Sequence, residues 1–439
     1  MAIPADANST FTVGIIGAGL GGLQVAVVLQ QRGIETTVFE RETSPISRNQ
    51  GGTLDIHVES GQQALKIAGL LHEFHRIAHP DWDAMKIVDK HGNVTFDDDE
   101  MDMAKETKVQ TPIEEEDPQQ GLPPGIRGRP EVDRGELRQI LLDSLLPSTI
   151  KWGHNLSFCE LDCNGKVELV FLTETTPSQR VTATFDMVVG ADGTWSRVRS
   201  LLCPTKPEYT GVSFLDVQIS AVDGDGGNPN PSVAKVVGRG SLCALGDDKA
   251  LLAQRNNGGK VRLYVAFRVP LSWCETSAIA GLVKEQHFGK VRDHLLVEFA
   301  DWSDGFKDMI KCVDLANSTF AVRPLMMLPP EHRWETIGRV TLIGDAAHVM
   351  SPFAGEGANL AMIDGAELGE AIAGWRDDHS RDEQSLVDVI GSFEKKMLER
   401  SKEKSEESIR NQNLFMGDNS AETAGNLLRH FMSMGTPPP

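Results

Sequence analysis

The stretch Gly17-Ala18-Gly19-Leu20-Gly21-Gly22 decides the fold of this 439-residue chain. A short apolar run, Phe11 to Ile16, precedes it, and Leu20 to Gln31 has the composition of a helix. Ile34 to Phe39 then indicates a second strand. A glycine turn between a strand and a helix, followed by another strand, is typical of a β-α-β unit that binds a dinucleotide.

Each glycine of this turn has a separate task in such a unit. Gly17 allows the tight turn, Gly19 lets the backbone approach a pyrophosphate, and Gly22 lets helix and strand pack closely. Glu40 ends the second strand, where its carboxylate can accept hydrogen bonds from a ribose. A glycine-rich turn without a ligand is the alternative interpretation. The turn alone does not distinguish FAD from NAD(P).

Two later segments favour FAD. Asp192-Gly193 and Gly344-Asp345 each follow an apolar run, so both carboxylates lie at strand ends and can bind a ribityl hydroxyl. Either aspartate can instead cap a turn or a helix. After Ser351-Pro352-Phe353-Ala354-Gly355-Glu356, a helix that begins near Gly357 directs its positive end at the loop above it. That dipole stabilises the negative charge of a reduced flavin by roughly 1 kcal/mol.

The bulk composition excludes several classes of partner. Lys and Arg number 43 against 63 Asp and Glu, and the net charge of −20 disfavours nucleic acid and anionic membrane surfaces. The first residues have no secretory signal pattern, and no apolar run reaches the length of a spanning helix. Six scattered cysteines suit a reducing compartment, so we expect a cytoplasmic protein. Neither a Ser-His-Asp set nor a metal-type His/Cys spacing is present in the sequence.

The pattern of elements predicts an α/β fold with a Rossmann-type FAD-binding domain, a mostly antiparallel-sheet substrate domain and a long C-terminal helix. We expect the first domain to be interrupted, because strand-like runs separated by turn residues lie between its two parts. The expected divisions are the FAD-binding domain over 1–210 with an acidic excursion at 97–130, the substrate sheet over 211–322, the return to the FAD-binding domain over 323–378, and a bridging helix with a cap over 379–439.

Three motifs, the Gly17–Gly22 turn, Asp192-Gly193 and the segment from Gly344 to Asn359, together resemble those of the group A flavoprotein monooxygenases, the para-hydroxybenzoate hydroxylase family. The resemblance extends over nearly the whole chain. The resemblance implies one FAD, with NADPH or NADH as a transient electron donor and O₂ as co-substrate. It also implies a small-molecule substrate, and we expect a monomer. A second G-x-G-x-x-G is absent from the sequence, which counts against Baeyer–Villiger enzymes. The lack of a redox cysteine pair counts against disulfide reductases.

A closer resemblance rests on Gly51-Gly52-Thr53-Leu54-Asp55-Ile56-His57, on Val132-Asp133-Arg134-Gly135-Glu136-Leu137-Arg138 and on Phe299-Ala300-Asp301-Trp302. These stretches are similar to those of the tetracycline-inactivating monooxygenases. The cofactor residues that the motifs and this resemblance together predict are Gly17, Gly19, Gly22, Glu40, Arg41, Asp55, Arg138, Asp192, Asp345, Pro352, Gly355, Gly357, Ala358 and Asn359, with Arg48 where the family meets NADPH.

The resemblance also predicts a set of substrate contacts. They are Gln218, Arg239, Arg262, Pro352, Phe353 and Gly355. Arg262 stands where the family has a substrate-facing histidine, and the family's substrate arginine aligns near Ser241, two positions from Arg239.

Simpler interpretations of several of these residues remain open. Guanidinium groups bind phosphate in a bidentate manner, yet Arg48 and Arg138 can also be surface charges. Gln218 can be an ordinary sheet residue, and Asp55 can simply end a strand. For His348, a packed histidine is favoured over a catalytic one.

We therefore expect an NADPH-consuming, FAD-dependent monooxygenase that hydroxylates an electron-rich enol or phenol carbon and inactivates tetracyclines. The resemblance implies that a flavin C4a-hydroperoxide performs the chemistry, and no side chain is predicted to be catalytic. A hydroxylase of a phenolic or polyketide metabolite is one alternative. A flavin-containing ligand-binding protein without turnover is another.

Overall fold

The computed structural model describes residues 11–47, 51–79, 82, 84–98, 128–173, 180–220, 230–378 and 381–433. Arg48 and most of the expected 97–130 excursion lie outside these residues.

The strands are β1 Thr12–Ile16, β2 Glu35–Phe39, β3 Thr53–Asp55, β4 Met85–Asp89, β5 Val94–Asp97, β6 Glu131–Asp133, β7 Ile150–Lys151, β8 His154–Leu161, β9 Val167–Thr173, β10 Arg180–Phe185, β11 Met187–Gly190, β12 Glu208–Ile219, β13 Ser241–Gly246, β14 Lys249–Asn256, β15 Lys260–Arg268, β16 Ala321–Met327 and β17 Val340–Leu342. The α-helices are α1 Leu20–Gln31, α2 Gln63–Ile67, α3 Leu71–Ile77, α4 Arg134–Asp143, α5 Arg199–Leu202, α6 Pro231–Val237, α7 Trp273–Thr276, α8 Ala278–Lys284, α9 Phe288–Glu298, α10 Asp304–Lys311, α11 Asp345–His348, α12 Gly357–Asp377, α13 Glu383–Phe415 and α14 Ser420–Ser433.

A five-stranded parallel sheet forms the first half, in the order β17-β11-β1-β2-β7. The central strand β1 is almost wholly buried, as expected for a parallel strand that is covered on both faces. Helices α1 and α12 pack closely against one another, because glycines stand at their crossing. A Cβ at Gly21 would lie 2.7 Å from the carbonyl oxygen of Ala361, and one at Gly365 would lie 2.5 Å from that of Gly21. A three-stranded antiparallel sheet, β10-β9-β8, lies beside this core.

The second half is a seven-stranded sheet in the order β16-β12-β15-β14-β13-β4-β5. Its pairs are antiparallel except for β13 with β4. Alternation divides its two faces: Leu215, Val217 and Ile219 join the core beneath α8 to α10, and Phe214 joins a second core on the opposite face.

The observed strands depart from the expected domain divisions in two places. Strands β4 and β5 belong to the seven-stranded sheet, although the expected FAD-binding domain over 1–210 included them. Strand β16 crosses the expected boundary after residue 322. Alternating apolar residues predict a strand, but they do not specify which sheet supplies its hydrogen-bonding partner.

Helix α13 extends over 33 residues and begins with a capping box. The Asp382 carboxylate accepts the backbone N–H of Ser385 at 2.8 Å, and the Ser385 hydroxyl accepts the N–H of Asp382 at 2.9 Å. After it, α14 packs on β4 and β5, where Ala421 and Ala424 join Ile87 and Phe96 in the second core. Within the part of the chain that the structure describes, no helix has both the length and the apolarity needed to cross a membrane.

Candidate functional site

The glycine turn between β1 and α1 has two kinds of glycine. Gly17 has a φ of +107°, and a Cβ there would lie 2.2 Å from the carbonyl oxygen of Ala191. A Cβ at Gly22 would lie 2.0 Å from the carbonyl oxygen of Gly17. At Gly19 a Cβ would meet no atom within 4 Å. Gly17 and Gly22 are therefore required by the protein's own backbone, whereas Gly19 leaves space for a ligand at the start of α1.

Glu40 and Arg138 hold this turn from two sides. Glu40 Oε2 accepts the N–H of Ala18 at 2.8 Å, and Arg138 Nε donates to the Ala18 carbonyl at 2.9 Å. Arg138 is only 4% exposed, which argues against a surface charge, and its Nη1 also donates to the Pro45 carbonyl at 3.1 Å. Arg41, next to Glu40, is exposed.

The two predicted aspartates lie at the ends of β11 and β17. Asp192 Oδ2 accepts the N–H of Arg197 at 2.7 Å, while Oδ1 is buried without a hydrogen-bond partner among the described residues. Burial raises the pKa of Asp192. Asp345 begins α11, and its side chain is accessible to solvent although protein atoms surround it closely. These surroundings raise the pKa of Asp345, and the positive charges of Arg134 and His348 oppose that rise.

The unsatisfied buried oxygen of Asp192, the accessible carboxylate of Asp345 and the space at Gly19 fit a long ligand that has hydroxyls and a pyrophosphate. These residues therefore fit FAD.

Asn359, in the first turn of α12, joins this helix to the segment after β3. Its Nδ2 donates to the Asp55 carbonyl at 2.9 Å, and its Oδ1 accepts the N–H of His57 at 2.9 Å. A π-helical turn, Val58–Gln62, follows directly. A Cβ at Gly61 would lie 2.5 Å from Asn359 Oδ1, which explains the glycine. The predicted residues Asp55 and Asn359 are thus brought together from distant parts of the sequence.

The loop before α12 has an open side. Gly355 adopts the left-handed conformation at φ +69°, and a Cβ there would lie 3.4 Å from Asp55 Oδ1. Pro352 and Gly355 are exposed, Ala358 is buried, and a Cβ at Gly357 would meet no atom within 4 Å. The N-terminus of α12 therefore faces space that a ligand can occupy.

Aromatic side chains lie between this loop and the seven-stranded sheet. The ring centroids of Phe353 and Phe214 are 6.0 Å apart, and those of Phe353 and Phe415 are also 6.0 Å apart. Tyr264 on β15 adds a fourth ring, 5.5 Å from Phe214. We call Phe214, Tyr264, Phe353 and Phe415 the aromatic wall.

Charged residues lie beside the aromatic wall on the same sheet face. Arg262 is buried and its Nε donates to Asp216 Oδ1 at 2.7 Å. Arg323 on β16 donates from Nε to Asp216 Oδ2 at 2.9 Å and is half exposed. Asp216, which is 1% exposed, therefore pairs with two guanidinium groups.

The structure places the other predicted substrate residues differently. Gln218 lies opposite Arg262 in the β12–β15 register, and its amide nitrogen is 3.3 Å from the Ser220 hydroxyl. Arg239 is exposed before β13. His348 is buried with its Nε2 2.6 Å from Asp364 Oδ2, in keeping with the packed histidine that the sequence favoured.

The sequence interpretation did not assign a role to Asp216, Arg323, His57 or Glu356. Asp216 lies two positions before Gln218 on the same strand face, so alternation offered a signal for it. His57 and Glu356 stand inside stretches that the motifs had already marked.

A protein-family profile described as "FAD binding domain" matches residues 10–225 and 332–384, which is more than half of the chain. Monooxygenase penA from Penicillium thymicola is 29% identical over 96% of this chain and 99% of its own length. Monooxygenase asqM from Emericella nidulans is 28% identical over 83% of this chain and 84% of its own.

A likeness to a tetracycline-inactivating enzyme exists at the level of fold. The crystal structure of tetracycline destructase Tet(55) matches with a TM-score of 0.67 and 16% identity, over 97% of this chain and 95% of that one. Similarity this low shows a shared fold and no more, so the expected tetracycline specificity is not supported. Together with the family profile and the monooxygenase relatives, the site places this chain in the FAD-binding family of the group A flavin-dependent monooxygenases.

Proposed function

We propose that this enzyme uses FAD, NAD(P)H and O₂ to hydroxylate an electron-rich phenol or enol carbon of a secondary metabolite, rather than to inactivate tetracyclines. Two fungal monooxygenases that align with most of the chain support this choice over the tetracycline interpretation.

The aromatic wall is the observation that most directly supports the proposal. Its members from the loop and the sheet, Phe353 and Phe214, meet edge to face at 70°. Phe353, Phe415 and Tyr264 are only partly buried, so they keep ring surface available for a ligand. Aromatic surfaces of this kind favour a flat, unsaturated substrate through offset and edge-to-face contacts. The wall adjoins the loop before α12, where the flavin ring is expected.

Charge next to the wall favours an ionisable substrate. Asp216 carries one negative charge and its partners Arg262 and Arg323 carry two positive charges, so the group has a net charge of about +1. Because Arg323 is half exposed, its guanidinium can contact a ligand as well as Asp216. Loss of a proton makes a phenol or enol more electron-rich, so a cation here favours the reactive anion.

The FAD half supplies position and electrostatics. The Gly17–Gly22 turn, Glu40 and Arg138 would hold the pyrophosphate and ribose end, and Asp192 and Asp345 would hold the hydroxyl-bearing chain. The start of α12 would place its positive end near the flavin ring. When bound, FAD would supply the transfer of two electrons from NAD(P)H and the activation of O₂. The aromatic wall would exclude water from the substrate side.

Substrate-dependent turnover tests the proposal. Purified FAD-loaded protein is supplied with NADPH, air and a panel of phenols, enols, saturated analogues and tetracycline. We expect phenols or enols with extended aromatic surface to stimulate NADPH oxidation and to gain one oxygen atom by mass spectrometry. Saturated analogues of the same size are the control.

Two other outcomes would contradict the proposal. Tight binding of aromatic ligands without any oxygen consumption would indicate a flavin-containing binding protein. A gain of oxygen in tetracycline alone would return the assignment to tetracycline inactivation.

A further inference from the structure

A chain of charged side chains runs from the FAD side of the molecule to the C-terminal helix. His57 Nε2 lies 2.8 Å from Asp55 Oδ2, and its Nδ1 lies 3.3 Å from Glu356 Oε2. Lys404 on α13 then contacts Glu356 Oε1 at 2.7 Å and Glu407 Oε2 at 3.1 Å. We call Asp55, His57, Glu356, Lys404 and Glu407 the charge chain. It joins three regions that are far apart in the sequence.

The centre of the charge chain is buried and ionised. The side chains of His57 and Glu356 are 1% and 4% exposed. Burial lowers the pKa of His57, but the carboxylates of Asp55 and Glu356 outweigh it and raise that pKa to about 9. Burial likewise raises the pKa of Glu356, but His57 and Lys404 outweigh it and bring that pKa to about 2. The two groups therefore form a buried ion pair at neutral pH.

Asp55 and Lys404 are the most open members of the charge chain, whereas Glu407 is only 10% exposed. The Asp55 side chain is one-third exposed, and it lies against the Gly355 turn. Lys404 is 28% exposed on the other side of Glu356. Among the described residues, Asp55 and Glu356 are the ionisable groups that face the His57 ring, while the amide of Asn359 holds its backbone. His57 therefore fixes the direction of the Asp55 carboxylate through the 2.8 Å contact.

We propose that His57 is a positioning residue for FAD, clamped between Asp55 and Glu356, and that the charge chain couples FAD binding to the anchoring of α13. With the imidazolium in place, Asp55 is held beside the Gly355 turn and the start of α12 keeps its orientation toward the cofactor. Because Glu356 is shared between His57 and Lys404, a change at either cation alters the position of the loop before α12. Binding couplings are reciprocal, so bound FAD must in turn tighten α13 around Lys404.

FAD affinity of the apoprotein tests the first part of the proposal. His57→Gln keeps hydrogen-bonding groups but removes the positive charge. We expect it to weaken FAD binding about tenfold or more, and Lys404→Met to weaken it about threefold, since one neighbour of a buried charge is lost in each case. Lys402→Met is the matched control, because Lys402 lies on the same helix but pairs with the exposed Glu331. Flavin fluorescence during titration of the apoprotein gives the dissociation constants.

Amide hydrogen exchange tests the coupling. In the wild type we expect added FAD to slow exchange in α13 around Lys404. In His57→Gln that FAD-dependent protection is expected to disappear, even at saturating FAD. If His57→Gln does not fold, Lys404→Met provides the same comparison from the other end of the charge chain.

The pH dependence separates a charged clamp from a neutral packing role. The pKa of His57 is raised above its ordinary value of 6.5 to about 9. The contribution of the His57 charge to FAD affinity is therefore complete below pH 6.5 and is lost as the pH rises through about 9. Wild-type FAD affinity is expected to fall in this upper range, whereas the affinity of His57→Gln stays flat there. The proposal is overturned if His57→Gln and Lys402→Met bind FAD equally well. It is also overturned if His57→Gln lowers the melting temperatures of the apoprotein and the FAD-bound protein equally while its affinity for FAD is unchanged.

Discussion

The two sheets of this enzyme depend on different kinds of contact. In the parallel sheet, the decisive contacts involve backbone atoms. For example, a Cβ at Gly22 would lie only 2.0 Å from the carbonyl oxygen of Gly17. In the seven-stranded sheet, the decisive contacts involve side chains, such as the pair of Asp216 with Arg262. Backbone contacts restrict the residue type at a position severely, whereas side-chain pairs can be exchanged without changing the fold. The cofactor half is therefore readable from one sequence, and the substrate half is not.

Glycine substitutions should produce the largest effect and test the backbone side of this contrast. We expect Gly22→Ala to lose more than about 3 kcal/mol of the free energy of unfolding, because a carbonyl oxygen cannot move aside as a flexible side chain can. Gly19→Ala should fold normally yet bind little FAD, because its Cβ enters only the ligand space. Thermal melting and the flavin absorbance per protein separate the two outcomes. Equal melting temperatures for both variants would break the distinction.

Removal of one buried charge should give the next largest effect. Asp216→Asn leaves Arg262 buried with a weakened partner, and we expect a loss of about 3–5 kcal/mol in urea unfolding. Asp301→Asn is the control, because the pair of Asp301 with Lys90 is exposed to solvent and should contribute little to the free energy of unfolding. A similar small loss in both variants would show that the Asp216 cluster is not part of the stability of the sheet.

Arg323 sharpens the substrate side of the contrast. If an anionic phenol or enol binds beside the aromatic wall, Arg323→Met should lower kcat/KM for that substrate about tenfold, equivalent to about 1.4 kcal/mol. FAD content should not change, and the melting temperature should fall less than in Asp216→Asn, because Arg262 still pairs with Asp216 and Arg323 is half exposed. Arg268→Met, on the exposed end of β15, is the control. An equal decrease for neutral and ionised substrates would argue against charge recognition.

Gln218 should show the smallest effect. Within the described part of the chain, the one hydrogen bond of its side-chain amide is a long contact with Ser220, so Gln218→Leu should leave stability unchanged. If its polar end meets the substrate, as the family resemblance implied, KM should rise about threefold, the value of one neutral hydrogen bond. Steady-state kinetics with the substrate found above would measure it, and an unchanged KM would remove Gln218 from the site.

Much of the fold was predictable, and the reason is local. The predicted helix Leu20–Gln31 is observed with the same bounds, and the predicted turns at Asp192 and Asp345 lie at strand ends as expected. Glycine turns, strands and helices depend on residues that are close together in the sequence, so a single sequence is sufficient to predict them.

The remainder depends on pairs that are far apart in the sequence. Asp216 pairs with Arg262 and Arg323, and His57 pairs with Glu356, and no periodicity predicts such partners. The same holds for β4, whose neighbour in the sheet is the distant β13.

That parallel pairing of β4 with β13 affects how the chain reaches its native state. Ile87 lies opposite Cys243 in this register, so β4 leaves the ribosome long before its partner strand exists. Until then its apolar side chains and open backbone groups are exposed as an unpaired edge, and such edges promote aggregation. Distant pairings of this kind also slow folding. Expression at low temperature or with chaperones should therefore raise the yield of native enzyme, and a fragment that ends before β13 should aggregate rather than fold as an isolated domain.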